Sequence, residues 1–373
     1  MSTIDKYRGC LIGGAAGDAL GYAVEFSRED QIAARYGAGG IRDYQLDDRG
    51  LAPFSDDTQM TLYTANGLLH AVTRGRLRGV LGPLRDYVSG FYVEWSRTQT
   101  EPYPLADHSA WISALPELFV PRAPGATCLS ACAAGAHGTP EEPINDSKGC
   151  GGIMRVAPAG LLAGPRGADG ADVQRLGAQL AALTHGHELG WLPAGVFAHI
   201  VSALAHGEAD SVRGAAEQAL AVLPEAHPGA RRVGELQELM RLVLRLADGT
   251  APDVEAIHQL GEGWVAEEAL AIALLCALRH EDDFEGTVVS AVNHSGDSDS
   301  TGAIAGNIVG ARLGLAGIPR RYTERLELAD VVLALADDLF TGCPITEYCP
   351  SPDGVWEHKY LLPADYVEWE RGR

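Results

Sequence analysis

The chain has 373 residues, of which 46% are hydrophobic, and this is enough to bury a large core in a globular protein. Its 29 basic and 50 acidic residues give a net charge of -21, which opposes binding to nucleic acid or anionic membranes because both need a basic surface. The seven cysteines include no C-x-x-C pair, and no uninterrupted apolar stretch of about 18 residues is present to span a membrane. We therefore expect a soluble, cytoplasmic protein with reduced thiols.

Helical periodicity dominates the chain, because apolar residues recur at intervals of three and four. Gly, Pro and Asp separate the periodic segments, and alternating β-branched runs are nearly absent. We therefore predict an all-α fold, with one compact multi-helix domain over residues 1–342 and a loop-rich C-terminal extension, residues 343–373, packed on it. The clearest predicted helices are 58–72, 171–185, 233–247, 266–280 and 325–340.

Glycine recurs at every fourth position in YRGCLIGGAAGDALGYAVEF near the N-terminus, and again in STGAIAGNIVGARLGLAG near the C-terminus. Glycine inside a helix costs roughly 1 kcal/mol relative to alanine, so a whole stripe requires a compensating gain. Close approach of another helix backbone would supply that gain, although a crowded core centre without chemistry explains the spacing equally well. The two stripes are Gly9, Gly13, Gly17 and Gly21, and Gly302, Gly306, Gly310 and Gly314.

The segment FSDDTQM, residues 54–60, places two adjacent carboxylates directly before a helical run. As a helix start, Ser55 or Asp56 would form a capping box with Gln59. As metal ligands, Asp56 and Asp57 would repel each other at neutral pH unless a cation or hydrogen-bond donors neutralise them.

A second diacid cluster lies in NHSGDSDSTGAIAGNI, residues 293–308, where Asp297, Asp299 and Ser300 precede the second glycine stripe. One aspartate is enough for an N-cap, and clustered hard oxygens are what Mg²⁺, Mn²⁺ or Ca²⁺ require. An EF-hand does not fit, because the twelfth position counted from Asp297 is Ile308 rather than glutamate. Capping explains either cluster alone, but two such clusters in one chain favour a metal site shared between them.

Five stretches, in this order along the chain, resemble the ADP-ribosylglycohydrolases, the family of dinitrogenase-reductase-activating glycohydrolase and the ADP-ribosylhydrolases. The resemblance spans most of the chain up to residue 342. It implies an all-α fold with two divalent cations, Mg²⁺ or Mn²⁺, that hydrolyses the N- or O-glycosidic bond between ADP-ribose and an acceptor. The stretches are GAAGDALGYAVEF (14–26), FSDDTQM (54–60), GCGGIMRVAPAGL (149–161), THGHELG (184–190) and GDSDSTGAIAGNIVGA (296–311).

The resemblance also implies three groups of site residues. It implies that Glu25 and Asp297 are catalytic, with Glu25 acting beside the metals as a gating or acid/base group. We interpret Asp18 as a residue that supports the metal site and His187 as a helix-end residue. The implied metal ligands are Ser55, Asp56, Asp57, Asp297, Asp299 and Ser300. The residues implied to border ADP-ribose are Gly149, Gly151, Gly152, Ile153, Met154, Arg155 and His185.

The function implied by the resemblance is removal of ADP-ribose from an ADP-ribosylated protein side chain. The D-S-D-S-T form favours arginine as the acceptor, and the alternative substrates are ADP-ribose conjugates of serine, of a nucleic-acid end or of a small molecule. An inactive relative that binds ADP-ribose or has a structural role is the alternative from another class. The intact diacid clusters and Glu25 favour the enzyme, because an inactive chain has no reason to hold mutually repelling acids.

Overall fold

The computed structural model describes residues 3–163, 169–345, 349, 351 and 354–363. Within these ranges the chain forms seventeen α-helices and several 3-10 turns, without a β-strand, which confirms the predicted all-α fold. The helices are α1 (Thr3–Tyr22), α2 (Glu29–Tyr36), α3 (Asp56–Arg78), α4 (Leu84–Thr98), α5 (Ala126–Ala133), α6 (Ala157–Ala163), α7 (Gly170–Ala182), α8 (Glu188–His206), α9 (Val212–Ala226), α10 (Val233–Ala247), α11 (Asp253–Ile257), α12 (Ala266–Arg279), α13 (Phe284–Val292), α14 (Ser298–Leu313), α15 (Arg320–Thr323), α16 (Ala329–Thr341) and α17 (Val355–Leu361).

Helices α1 and α14 lie at the centre of the fold and pack against each other through the two glycine stripes. A Cβ atom built on Gly306 would lie 2.0 Å from the carbonyl oxygen of Gly13, and one built on Gly17 would lie 2.0 Å from that of Gly302. The pairing runs in opposite directions along the two helices, so they are antiparallel. The compensating gain expected for the stripes is therefore backbone-to-backbone contact, which only glycine permits at this distance.

The antiparallel pairing places the C-terminal end of α1 beside the N-terminal end of α14. Both helices are buried on almost all sides, as expected for helices without a polar face. Helices α8, α12, α13 and α16 pack around this pair, and α3 contacts it at the end where the acidic residues lie. The central pair thus fixes the position of the candidate site.

Helix α8 is long and apolar enough to cross a membrane by length and composition. However, 94% of its most apolar window is buried inside the protein, where it contacts α7, α6 and α9.

Helix α16 begins at Ala329, four residues later than the sequence periodicity predicts. The preceding residues make other contacts instead. The backbone N–H of Ala52 donates to the carbonyl of Arg325 at 2.7 Å, and the carboxylate of Glu327 is buried against the guanidinium of Arg122. Leu328 adopts a left-handed conformation with φ of 50°. The apolar periodicity of residues 325–328 therefore reflects burial of a loop rather than a helix.

The predicted C-terminal extension includes α17, which packs against α3. The indole N–H of Trp356 donates to Thr73 Oγ1 at 2.7 Å, and His70 Nδ1 lies 2.6 Å from the carbonyl oxygen of Tyr360. Residues 346–348, 350, 352–353 and 364–373 of the extension lie outside the described residues, and the boundary at 342/343 stays a prediction.

We predict that alanine at Gly306 destabilises the protein, because its Cβ would meet the backbone of α1. Overpacking of this kind costs typically 1–3 kcal/mol. Gly90 in α4 is the matched control, since nothing lies within 4 Å of a Cβ built there, and alanine at that position should be neutral or stabilising. Urea unfolding of both variants measures the difference, and equal stability would contradict the close-contact interpretation.

Candidate functional site

Six acidic side chains from three separate segments converge at the junction of α1, α3 and α14. None of them is more than 7% exposed, and each has at least one other member of the group as an electrostatic neighbour. The structure thus brings the two predicted diacid clusters together in one acidic site. The six are Asp18 and Glu25 from α1 and the turn that follows it, Asp56 and Asp57 from α3, and Asp297 and Asp299 at the start of α14.

The two diacid clusters both begin helices, as the capping interpretation requires. The hydroxyl of Ser55 accepts a hydrogen bond from the backbone N–H of Asp57 at 3.2 Å, and Asp297 Oδ1 accepts one from the N–H of Ser300 at 3.3 Å. Asp299 Oδ1 also accepts from Ser300 N–H, at 2.8 Å. Capping uses one oxygen of Asp297 and no carboxylate oxygen of Asp56 or Asp57, although Asp56 Oδ2 accepts from the backbone N–H of Gly125 at 3.4 Å.

Asp18 holds the start of α3 in place. Its Oδ1 accepts from the backbone N–H of Ser55 at 2.8 Å, and its Oδ2 accepts from the N–H of Thr58 at 2.9 Å and from the Thr58 hydroxyl. Because Asp18 belongs to α1, these bonds tie the first diacid cluster to the central helix pair. Asp18 therefore supports the start of α3, and its role beside a metal site stays a prediction.

Burial and mutual repulsion favour the protonated forms of these acids. Burial raises the pKa of Glu25 to about 10, and repulsion from Asp299 and Asp297 adds to the rise. Burial followed by repulsion from Asp299 also raises the pKa of Asp57 and of Asp56 well above their usual range. Ionising this group at neutral pH therefore requires positive charge from outside the cluster.

The donor set fits a hard divalent cation. Glu25 Oε2 and Asp57 Oδ2 are buried without a hydrogen-bond partner, which is costly for a carboxylate unless it binds a cation. Clustered carboxylate and hydroxyl oxygens are the ligands that Mg²⁺ and Mn²⁺ prefer. Among the described residues, however, no three His, Cys, Asp or Glu side chains are already arranged around one point as ligands. Binding a cation would thus require the carboxylates to turn toward it.

The glycine loop, residues 149–152, is predicted to border ADP-ribose and lies next to this acidic site. Gly149 pairs with Val265 in an isolated antiparallel bridge, and Cys150 begins a 3-10 turn. His185 lies under the loop, because Cβ atoms built on Gly149 and Gly152 would each lie 3.3 Å from its imidazole. Burial, with a smaller contribution from the positive charge of Arg155, lowers the pKa of His185 to about 3, so the imidazole is neutral.

The other residues of this segment are directed into the core. The side chains of Ile153, Met154 and Arg155 are no more than 3% exposed. The guanidinium of Arg155 donates to the Thr184 hydroxyl and lies 4.1 Å from the ring centroid of Tyr92. Arg155 therefore supports the loop from below in this structure, and contact of the segment with ADP-ribose stays a prediction.

His187 caps α8, where its Nδ1 accepts from the N–H of Leu189 at 3.0 Å, in agreement with its interpretation as a helix-end residue. Sequence reasoning missed a further contact, in which the Cys150 thiol donates to Asp297 Oδ2 at 2.6 Å. This bond joins the glycine loop to the acidic site. The sequence places a cysteine within the GCGG motif but gives no sign of its partner far along the chain.

The structure is an all-α fold in which two diacid clusters meet beside a glycine loop, and comparison with known proteins identifies its family. The sequence model of the ADP-ribosylglycohydrolase family matches residues 1–347, so the chain belongs to the ADP-ribosylglycohydrolase family.

Individual relatives are similar over nearly their whole length. ADP-ribosylhydrolase ARH3 of Danio rerio is 26% identical over 369 residues, which cover 90% of this chain and 89% of the relative. The ADP-ribosyl-[dinitrogen reductase] glycohydrolase of Rhodospirillum rubrum is 25% identical, with 90% and 98% covered. A solved structure described as an ADP-ribosylglycohydrolase-related protein complex superimposes with a TM-score of 0.61 at 25% identity, and covers 91% of this chain and 99% of that one.

We predict that Mg²⁺ or Mn²⁺ raises the melting temperature of the wild-type protein and that Asp57→Asn abolishes this effect. At a free cation concentration of about a hundred times the Kd, binding would stabilise the fold by about 2.7 kcal/mol. In excess chelator the variant should be at least as stable as the wild type, because asparagine removes a buried acid that otherwise must be protonated or repel its neighbours.

The exposed Asp282, whose side chain is 76% exposed, provides the control variant Asp282→Asn, which should respond to the cations as the wild type does. Calorimetric melting with chelator and with each cation makes the comparison. A wild-type melting temperature that neither cation moves would refute the metal site.

Proposed function

We propose that this protein is a metal-dependent hydrolase that removes ADP-ribose from a modified protein side chain, with arginine favoured as the acceptor and Mg²⁺ or Mn²⁺ as two bound cations. The observation that carries the proposal is the group of buried carboxylates that includes two oxygens without partners, next to the glycine loop. Family membership and the names of the relatives, ARH3 and the dinitrogen reductase glycohydrolase, support this chemistry.

The residues that would hold the cations lie at the starts of two helices. At the start of α3 the proposed ligands are Ser55, Asp56 and Asp57. At the start of α14 they are Asp297, Asp299 and Ser300. Divalent cations held in this way would bind sugar hydroxyls and supply Lewis-acid activation of water for attack at an anomeric carbon. The helix N-termini add favourable partial positive charge to the same region.

The glycine loop is proposed to hold the diphosphate of ADP-ribose. The net charge of -21 repels a dianionic ligand, so attraction must be local. Backbone N–H groups of Gly149, Gly151 and Gly152 are suited to this task because glycine lets an anion approach the amides closely. The neutral imidazole of His185 beneath the loop would position these amides.

Glu25 is proposed to handle the proton in the reaction. It lies in the turn after α1, has Asp297 and Asp299 as electrostatic neighbours, and carries a buried oxygen without a partner. A carboxylate there would accept a proton from the attacking water or orient the substrate.

Experiment must separate this function from two alternatives. The first is hydrolysis of another ADP-ribose conjugate, of serine, of a nucleic-acid end or of a small molecule. The second is an inactive relative that binds ADP-ribose or has a structural role.

We predict hydrolysis of an ADP-ribosylarginine peptide in the presence of Mg²⁺ or Mn²⁺, and loss of that activity in excess chelator. Release of ADP-ribose from matched arginine, serine, DNA-end and small-molecule conjugates gives the measurement. Asp297→Asn should lower turnover by orders of magnitude while the circular dichroism spectrum stays helical. Binding of ADP-ribose without hydrolysis of any conjugate would identify an inactive relative instead, and full activity in chelator would exclude the metal-dependent mechanism.

For Glu25→Gln we predict a fall in kcat of about 10²-fold or more, because general base catalysis contributes typically 10²–10⁴-fold. Binding of ADP-ribose, measured by calorimetry, should persist since the loop is unchanged. Asp30→Asn is the control from the same segment, and its side chain is 69% exposed. An unchanged kcat with a raised KM would instead assign Glu25 to substrate positioning.

A further inference from the structure

Two large aromatic side chains stack on each other at the edge of the acidic site, although both remain open to solvent. Phe26 is 76% exposed and Trp264 is 39% exposed, and their ring centroids lie 6.0 Å apart with an interplanar angle of 17°. Phe26 directly follows Glu25 in the chain. Trp264 follows Gly263, where a Cβ would lie 3.4 Å from that of Asp297. The pair therefore belongs to two distant segments that meet beside the candidate catalytic residues.

The backbone around Trp264 is firmly held, so its exposure is not the result of a loose loop. Its carbonyl accepts from the N–H of Cys150 at 3.3 Å, and the carbonyl of Glu262 accepts from Asp297 N–H at 2.9 Å. The carboxylate of Glu268 accepts from Glu262 N–H at 3.0 Å. The fold thus holds the backbone that carries the indole ring next to the glycine loop and the start of α14.

Folding alone does not account for this arrangement. An aromatic ring that stays three-quarters exposed gains little from burial, and single exposed apolar residues are ordinary. Here, however, two rings contact each other at the edge of a site that holds buried carboxylates. Contact with a ligand would bury more of the surface of both rings than is buried in the free protein.

The charges around the pair favour a cationic ligand. Glu262, two residues before Trp264, is exposed and acidic. Two basic residues of the adjoining segments have acidic partners: Arg28, two residues after Phe26, pairs with Asp30. Lys148, whose carbonyl accepts from Ala266 N–H, pairs with Glu267. Aromatic faces attract cations, and the flat guanidinium group also stacks on them, which a compact ammonium does not do as well.

We propose that Phe26 and Trp264 form the acceptor subsite of the enzyme and take the guanidinium group of an ADP-ribosylated arginine. The inference rests on the proposed function, because the acceptor must lie on the side of the scissile bond away from the glycine loop, which is proposed to hold ADP-ribose. Stacking between the guanidinium and the rings positions the acceptor beside Glu25. A serine conjugate has no planar cation and gains nothing from this subsite.

Kinetics with two matched conjugates test the subsite. In Trp264→Ala and in Phe26→Ala, kcat/KM for an ADP-ribosylarginine peptide should fall roughly 3- to 30-fold, the range expected for a lost cation–π contact. For the same peptide with ADP-ribosylserine, kcat/KM should change less than about twofold, and the Kd for free ADP-ribose should change equally little. Trp264→Phe keeps a ring and should retain most of the activity on arginine.

Val80→Ala is the matched surface control, because Val80 is 73% exposed and follows α3 at the end opposite to Asp56. It should leave kcat/KM for both conjugates unchanged. An equal loss on arginine and serine conjugates, or no loss in the double alanine variant, overturns the subsite while the hydrolase function stands. A wild-type enzyme that hydrolyses only the serine conjugate also overturns it.

A second measurement does not depend on turnover. The indole N–H resonance of Trp264, identified by its absence from the Trp264→Phe spectrum, should shift on addition of methylguanidinium to the ADP-ribose complex and shift much less with methylammonium. No shift with methylguanidinium, or equal shifts with both cations, overturns the proposal. Failure to hydrolyse any conjugate, with this shift present, refutes the hydrolase function and leaves the cation subsite supported.

Discussion

The contact between the backbones of α1 and α14 is the constraint on which the rest of the structure depends. Side chains larger than hydrogen at Gly13 or Gly306 would separate the two helices. Their separation would also move the end of α1, with Asp18 and Glu25, away from the start of α14. The glycine stripes therefore position the acidic side chains that lie beyond their ends. The loss of helix propensity at each glycine is offset by the close packing that this geometry permits.

The same geometry concentrates negative charge where water is scarce. Carboxylates that repel one another destabilise a fold unless they are protonated, bonded to donors or bound to a cation. Asp18 is compensated by hydrogen bonds from Ser55 and Thr58, whereas one oxygen of Asp57 has no partner. Hydrogen-bond donors are thus unevenly distributed within one buried cluster. Asp18 receives them and supports the fold, whereas Asp57 keeps an oxygen that could contact a bound ligand.

Much of this arrangement was predictable from local sequence patterns. The four-residue spacing predicts a small-residue face, and the acid pairs before apolar runs predict helix starts, because both signals lie within a few residues. The bond from Cys150 to Asp297 and the stacking of Phe26 on Trp264 join distant segments, and no local pattern encodes them. The late start of α16 has a similar origin, since the ion pair of Glu327 with a distant arginine overrides apolar periodicity.

Capping and ligand binding are not competing explanations for the diacid clusters. An N-cap must lie at a helix start, where unpaired N–H groups and the helix dipole favour negative charge. Ser55 and Asp297 cap their helices in this structure, and the acids beside them face the same junction. Two helix starts that meet therefore provide both the oxygen atoms and part of the field that would favour the ionised forms of those acids. A cation bound between them would supply the remaining charge, so the structural role of each cap also positions the neighbouring acids that are proposed to bind it.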